Sequence, residues 1–83
     1  LSPEDVDYIV EKGSVLLRVN QLDEAIKTFT QAISMDSKYA AAYRMLGYCQ
    51  AIQKKNKEAC ANFAKAKELG DEVVDKLIEK YCK

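Results

Sequence analysis

The sequence repeats itself at one fixed offset, and this repeat constrains the fold more than any other feature. Gly13 and Gly47 define the offset, and five further pairs of residues share it. These pairs are Ile9 with Tyr43, Glu24 with Glu58, Ala25 with Ala59, Phe29 with Phe63 and Ala32 with Ala66. Matches at one spacing in so short a chain indicate two copies of one structural unit.

Each unit contains two amphipathic helical patterns separated by a polar break. Apolar residues recur every three or four positions, the spacing that places them on one face of a helix. The breaks fall at residues 20–21 and 53–56, and a fifth pattern follows residues 70–71. Ser2 and Pro3 fit a helix start, because serine caps helices and proline occupies their first position. No segment alternates with period two, so the sequence predicts an all-α fold without strands.

Small residues at matching positions indicate how the helices pack. Glycine inside a helix costs about 1 kcal/mol relative to alanine. Gly13 and Gly47 therefore indicate that another helix passes too close for a side chain, and Phe29 and Phe63 would fill the space between neighbouring hairpins. We predict antiparallel helix pairs stacked in a right-handed, shallowly curved array.

This pattern resembles the tetratricopeptide repeat (TPR) family, whose repeats carry an aromatic and Leu-Gly in the first helix and Ala, an aromatic and Ala in the second. The matching packing positions are Ile9, Gly13, Leu16, Ala25, Phe29 and Ala32, then Tyr43, Leu46, Gly47, Ala59, Phe63 and Ala66. The resemblance implies an α-α superhelix of five helices, two antiparallel hairpins plus a C-terminal capping helix.

The predicted organisation is a single domain at residues 1–83. Repeat one is expected at about 6–39, repeat two at about 40–73 and the capping helix at about 71–83. Residues 66–71 also resemble bacterial repeat proteins, so we predict a bacterial source. The chain begins at Leu1 without an initiator methionine, and we interpret it as a fragment or a processed product whose targeting information is missing.

In the TPR family the first helix of each pair lines a concave groove, and the resemblance places ten residues of this chain there. They are Val10, Glu11, Ser14 and Arg18, then Arg44, Met45, Tyr48 and Ile52, and from the last helix Asp75 and Glu79. One subset of the family binds a C-terminal carboxylate with lysine, arginine and asparagine. Here Asp75 and Glu79 stand where bases are needed, so we exclude a chaperone C-terminal carboxylate as partner.

The remaining groove residues favour protein binding. Met45 and Tyr48, beside arginine, belong to the residue types enriched in protein-binding surfaces. We therefore expect a protein–protein interaction scaffold that binds an extended peptide or partner helix in the groove. In one alternative the arginines only pair with Asp7, Glu11 or Asp75 across the groove. In another the chain is a terminal cap or self-association unit of a longer repeat protein, including a homo-oligomer, with no ligand of its own.

Charge and hydropathy exclude other partner classes. Lys+Arg and Asp+Glu are equal at 13 each, which gives no overall attraction to nucleic acid or anionic membrane. No apolar run approaches the roughly 20 residues of a membrane span. The lysine-rich second helix of the second unit is interpreted as a solvated face. We expect a soluble protein without nucleic-acid or membrane partners, in a compartment the sequence leaves unknown.

Catalytic and metal-binding patterns are missing from the sequence. It contains no histidine, the usual catalytic base near neutral pH, and no Cys-x-x-Cys pair. We therefore expect neither an enzyme nor a metal or cofactor site. Cys49, Cys60 and Cys82 are interpreted as small apolar core residues, with a single disulfide as the alternative.

Overall fold

The computed structural model describes residues 5–82, which contain five α-helices and no strand. The helices are α1 (Val6–Arg18), α2 (Leu22–Met35), α3 (Ala40–Ile52), α4 (Asn56–Glu68) and α5 (Val74–Tyr81). α1 packs on α2, α3 on α4, α2 on α3, and α5 mainly on α4. The prediction of an all-α fold, with two antiparallel hairpins and a closing helix, is confirmed. The predicted helix start at Ser2 and Pro3 lies outside the described residues, and α1 begins at Val6 after its N-cap Asp5.

The sequence repeat extends to the backbone of the turns that end α1 and α3. Asn20 and Lys54 both adopt the left-handed conformation, with φ of 62° and 65°. The amide of the next residue then donates to the carbonyl of Leu16 in the first turn and of Gln50 in the second, both at 2.8 Å. This arrangement satisfies carbonyls that a helix end leaves free, so each hairpin reverses direction without a long loop.

The core consists of two neighbouring clusters, each built around one phenylalanine. Phe29 and Phe63 are completely buried, and each lies against the glycine of the preceding helix, Gly13 or Gly47. Of the twelve predicted packing positions, ten are buried and two, one in each unit, are partly buried. The backbones of paired helices can approach closely because glycine and alanine supply the contact surface.

The cysteines divide into a disulfide and a buried thiol. Cys60 of α4 pairs with Cys82, the residue that follows α5, at a Cα–Cα distance of 5.7 Å. The interpretation of all three cysteines as core residues is therefore wrong for Cys60 and Cys82, because both lie where α4 faces the end of α5. Cys49 is buried, and burial raises the pKa of its thiol to about 11.

Candidate partner-binding groove

Side chains from α1, α3 and the α5 region line an open depression of about 370 Å³ on one side of the molecule. Each of these helices contributes to its wall, and most of the lining is apolar. The lining residues are Leu17, Arg44, Met45, Tyr48, Val73, Lys76 and Leu77. We call this set the groove. Apolar side chains with a few polar groups among them are typical of ligand sites on proteins.

A single carboxylate, that of Asp71, connects α3 to the start of α5. Its Oδ2 accepts a hydrogen bond from Arg44 Nε at 2.7 Å, and its side chain is only 7% exposed. Its Oδ1 accepts from the backbone amides of Val73 at 2.9 Å and Val74 at 3.2 Å. Asp71 therefore fixes the Arg44 guanidinium in the groove wall and caps the N-terminus of α5.

Two of the three acids that the sequence offered as arginine partners, Asp75 and Asp7, are engaged elsewhere. Asp75 lies 3.1 Å from Lys67 Nζ in an exposed ion pair, and Asp7 accepts a hydrogen bond from the hydroxyl of Tyr39. Arg44 pairs with Asp71 instead, because the chain turns sharply after α4 and places this residue beside α3. Pairing with Asp7, Glu11 or Asp75 is therefore wrong for Arg44.

The bond between Tyr39 and Asp7 ties the start of α3 to the first turn of α1. The hydrogen bond to Asp7, partial burial and the negative charges of Asp7, Asp5 and Asp36 together raise the pKa of Tyr39 to about 12. The neutral phenol donates this bond, whereas a phenolate would face three carboxylates. This contact fixes the spacing of α1 and α3.

Three of the ten residues predicted for the groove line it, namely Arg44, Met45 and Tyr48. Val10 is buried in the core of the first hairpin, and Ser14 is partly buried outside the groove lining. The other five are exposed outside the lining: Glu11, Arg18, Ile52, Asp75 and Glu79. The depression is thus narrower than the predicted surface and shifted toward α5.

Sequence reasoning missed three groove residues: Val73, which directly precedes α5, and Lys76 and Leu77 within it. Val74 is completely buried, and this rotates α5 so that Val73, Lys76 and Leu77 face the groove. Val73 and Leu77 are four residues apart, which places them on one side of a helix. This four-residue spacing was the signal that the sequence offered. Val74 and Ile78 show the same spacing, so the sequence could not decide which pair faces the groove.

Known proteins share this repeat architecture. Residues 6–39 match the model of the tetratricopeptide repeat family. A solved structure described as YrrB, a TPR protein with an unusual peptide-binding site, matches with a TM-score of 0.81 and 32% sequence identity over 83% of this chain. This chain is a TPR-family repeat protein. It spans 36% of the length of that structure, and no curated protein matches its sequence.

The TPR assignment sets the general class of function. TPR proteins are in general interaction scaffolds without catalytic activity, and this chain has their helical repeat. Histidine, cysteine, aspartate and glutamate are the residues that commonly bind metal ions. Within residues 5–82, no group of three or more of their side chains could hold one. None of the helices in the same range is both long and apolar enough to cross a membrane.

Proposed function

We propose that this TPR chain binds an extended peptide or a partner helix in the groove between α1, α3 and α5. The observation that carries the proposal is an open apolar depression that contains a positioned cation. Met45, Tyr48 and Leu77 offer adaptable and aromatic contact area, the kind enriched in the buried centres of protein interfaces. Arg44 is held in place by Asp71, so binding would not have to order its side chain.

The likeness to YrrB supports a peptide as the ligand. That protein is described as having an unusual peptide-binding site, and this chain shares its fold over most of its own length. The groove here would take one or two apolar side chains of a partner. Lys76, on the α5 side, would favour an acidic residue close to them.

The test is selection of peptides from a phage-displayed random library on the wild-type chain, followed by affinity measurement on two variants. Val73→Asp places a charge in the groove wall at a side chain that is 63% exposed. Val19→Asp places the same charge at a side chain 60% exposed at the end of α1, outside the groove. We expect Val73→Asp to weaken the selected peptides about tenfold or more, since burying an unpaired charge opposes binding.

Val19→Asp is the matched control and should leave peptide affinity within about twofold, since its charge stays outside the groove and in solvent. Failure to select any peptide, or equal binding by the Val73→Asp variant, would contradict the proposal. Circular dichroism of both variants must show the helical content of the wild type, so that a loss of binding is not a loss of fold.

A second function is favoured by the outer face of α1, where apolar side chains are exposed. Tyr8 and Val15 are 38% and 45% exposed and border a shallow depression. The equivalent residues of the second unit, Ala42 and Cys49, are completely buried in the core. The helix face that is buried on α3 is therefore exposed to solvent on α1. This favours a structural unit that packs against a preceding repeat or against another copy of the chain.

Sedimentation velocity over a wide concentration range separates the self-association form of this alternative from the monomeric scaffold. A concentration-dependent increase in mass that Val15→Asp abolishes and Val73→Asp retains would assign the outer face of α1 to self-association. A monomer at every concentration would leave only packing against a further repeat.

A further inference from the structure

We infer that the Cys60–Cys82 disulfide is a redox-reversible lock that holds α5 in place as one wall of the groove. The disulfide joins the middle of the second hairpin to the residue that follows α5. Opening it would release α5 and with it the groove residues Val73, Lys76 and Leu77. The release of α5 does not depend on the proposed function, whereas its effect on ligand binding rests on it.

α5 is attached at both ends, and between them Leu77 and Ile78 are only partly buried against the core. It has eight residues, of which Val74 alone is fully buried, and helices this short are unstable without tertiary contacts. Its N-terminus is fixed by Asp71, which caps the helix and binds Arg44. Its C-terminus is fixed by the disulfide, next to Tyr81, whose ring lies 6.3 Å from that of Phe63.

The packing of α1, α2 and α3 against one another does not depend on the disulfide in this way. Phe29 is buried in a cluster formed by α1, α2 and α3, and the bond between Tyr39 and Asp7 fixes α1 to α3. The disulfide closes a segment with a sequence separation of 22 that runs from α4 to the residue after α5 and includes no part of α1, α2 or α3. Reduction therefore restores freedom to α5 and its turn and leaves the contacts among α1, α2 and α3 intact.

The chemistry is thiol–disulfide exchange with a dithiol reductant. One thiolate of the reductant attacks Cys60 or Cys82 and forms a mixed disulfide, and its second thiol displaces the remaining sulfur. Two electrons pass to the protein, two protons complete the Cys60 and Cys82 thiols, and the reductant leaves as its own disulfide. Both cysteines are only partly buried, so a small dithiol can reach them. Cys49, which is buried, takes no part.

Hydrogen exchange measured on the oxidised chain and on the chain reduced with dithiothreitol tests the release of α5. We expect amides of residues 75–81 to exchange about tenfold or more faster after reduction, with α1 and α2 unchanged. Equal amide exchange rates of α5 in the oxidised and the reduced chain would overturn the lock. An equal acceleration in all five helices would also overturn it, because the disulfide would then stabilise the whole fold instead of one wall.

Two variants separate the disulfide from other effects of the reductant. The double variant Cys60→Ser, Cys82→Ser should exchange like the reduced wild type with or without dithiothreitol, whereas Cys49→Ala should keep the response. Should the double variant not fold, the reduced wild-type chain still decides the question, since its sequence is unchanged. A double variant that keeps the slow exchange of the oxidised chain would contradict the lock.

The effect on the groove is tested with the peptides selected as described above. We expect the reduced chain to bind them about tenfold or more weakly, because a mobile α5 must be ordered on binding. If reduction accelerates amide exchange in α5 but leaves peptide affinity unchanged, the disulfide does not control peptide binding. If no peptide is selected, the proposed function fails by itself, and the exchange experiment still decides whether α5 is released.

Discussion

Gly13 lies so close to Phe29 that a Cβ added to the glycine would come within 2.6 Å of the ring carbon Cε1 of Phe29. Gly47 and Phe63 repeat this relationship, with the corresponding distance 2.7 Å. Each phenylalanine ring is completely buried, so it cannot move aside without disturbing its other neighbours. The aromatic ring of the next helix therefore leaves no room for a side chain at either glycine.

Replacing Gly13 with alanine should destabilise the chain, although the same change in an open helix stabilises it by about 1 kcal/mol. The added methyl group overlaps the Phe29 ring, and overpacking of this kind costs about 1–3 kcal/mol. Urea unfolding followed by circular dichroism measures the change. Combining Gly13→Ala with Phe29→Leu should cost less than the sum of the two single changes, and strict additivity would contradict the clash.

Ala59→Leu should destabilise the second hairpin for a related reason. Ala59 is completely buried, and its carbonyl oxygen lies 3.0 Å from the place where a Cβ of Gly47 would be. A leucine there has no space, and we expect a loss of about 1–3 kcal/mol in the free energy of unfolding. Thermal melting checks it, with the exposed Lys57→Ala as control. A leucine variant with the same melting temperature as the wild type would show that this face of α4 is not packed against α3.

Lys54→Gly should stabilise the turn between α3 and α4. Lys54 has φ of 65°, a conformation that costs a residue with a side chain about 1–2 kcal/mol and that glycine adopts freely. The greater freedom of glycine in the unfolded chain offsets part of the gain, so we expect about 0.5–1 kcal/mol. The neighbouring Lys55→Gly is the control, since its φ is −95°. Urea unfolding should show a gain for Lys54→Gly and none for Lys55→Gly.

Asp71→Ala should weaken α5 and free Arg44. The change removes the acceptor for the amides of Val73 and Val74 together with a mostly buried partner of Arg44. We expect a loss of about 1–3 kcal/mol in the free energy of unfolding. Asp75→Ala breaks only an exposed ion pair, and it should change stability by less than about 1 kcal/mol. Equal effects of the two variants would contradict the capping role.

Tyr39 should make stability depend on pH in the alkaline range. Its pKa in the folded chain is about 12 against an ordinary 10.0, so the folded state holds this proton more tightly than the unfolded state does. The stabilisation is complete below pH 10 and is lost as the pH rises toward 12. Phenolate absorbance should show a titration near pH 12 that Tyr39→Phe removes and Asp7→Asn shifts to lower pH. Ionisation of Tyr39 at its ordinary pKa of 10.0 would contradict the hydrogen bond.

The helices could be predicted because their information is local. Apolar spacing and polar breaks define each helix within its own segment, and the repeat offset shows that Gly13 and Gly47 occupy equivalent places. The left-handed turn residue Lys54 was not foreseen. Its counterpart Asn20 is a usual choice for that conformation, whereas lysine is not.

The groove could be predicted only in part because it depends on how separate helices are rotated. Arg44, Met45 and Tyr48 lie on one face of α3, and the repeat fixes that face. The contribution of α5 depends on Val74 being buried against α4, and this helix has no counterpart in the repeat that would give its rotation.

The sequence by itself determined the number of helices and their pairing into hairpins, because both follow from spacing within a single repeat unit. Tertiary structure alone decided that Asp71 binds Arg44, that Cys60 meets Cys82 and that Val73 and Leu77 face the groove. These contacts join residues whose separation has no repeating pattern. They form only once α5 is packed on α4, and the physical cause of that packing is burial of Val74.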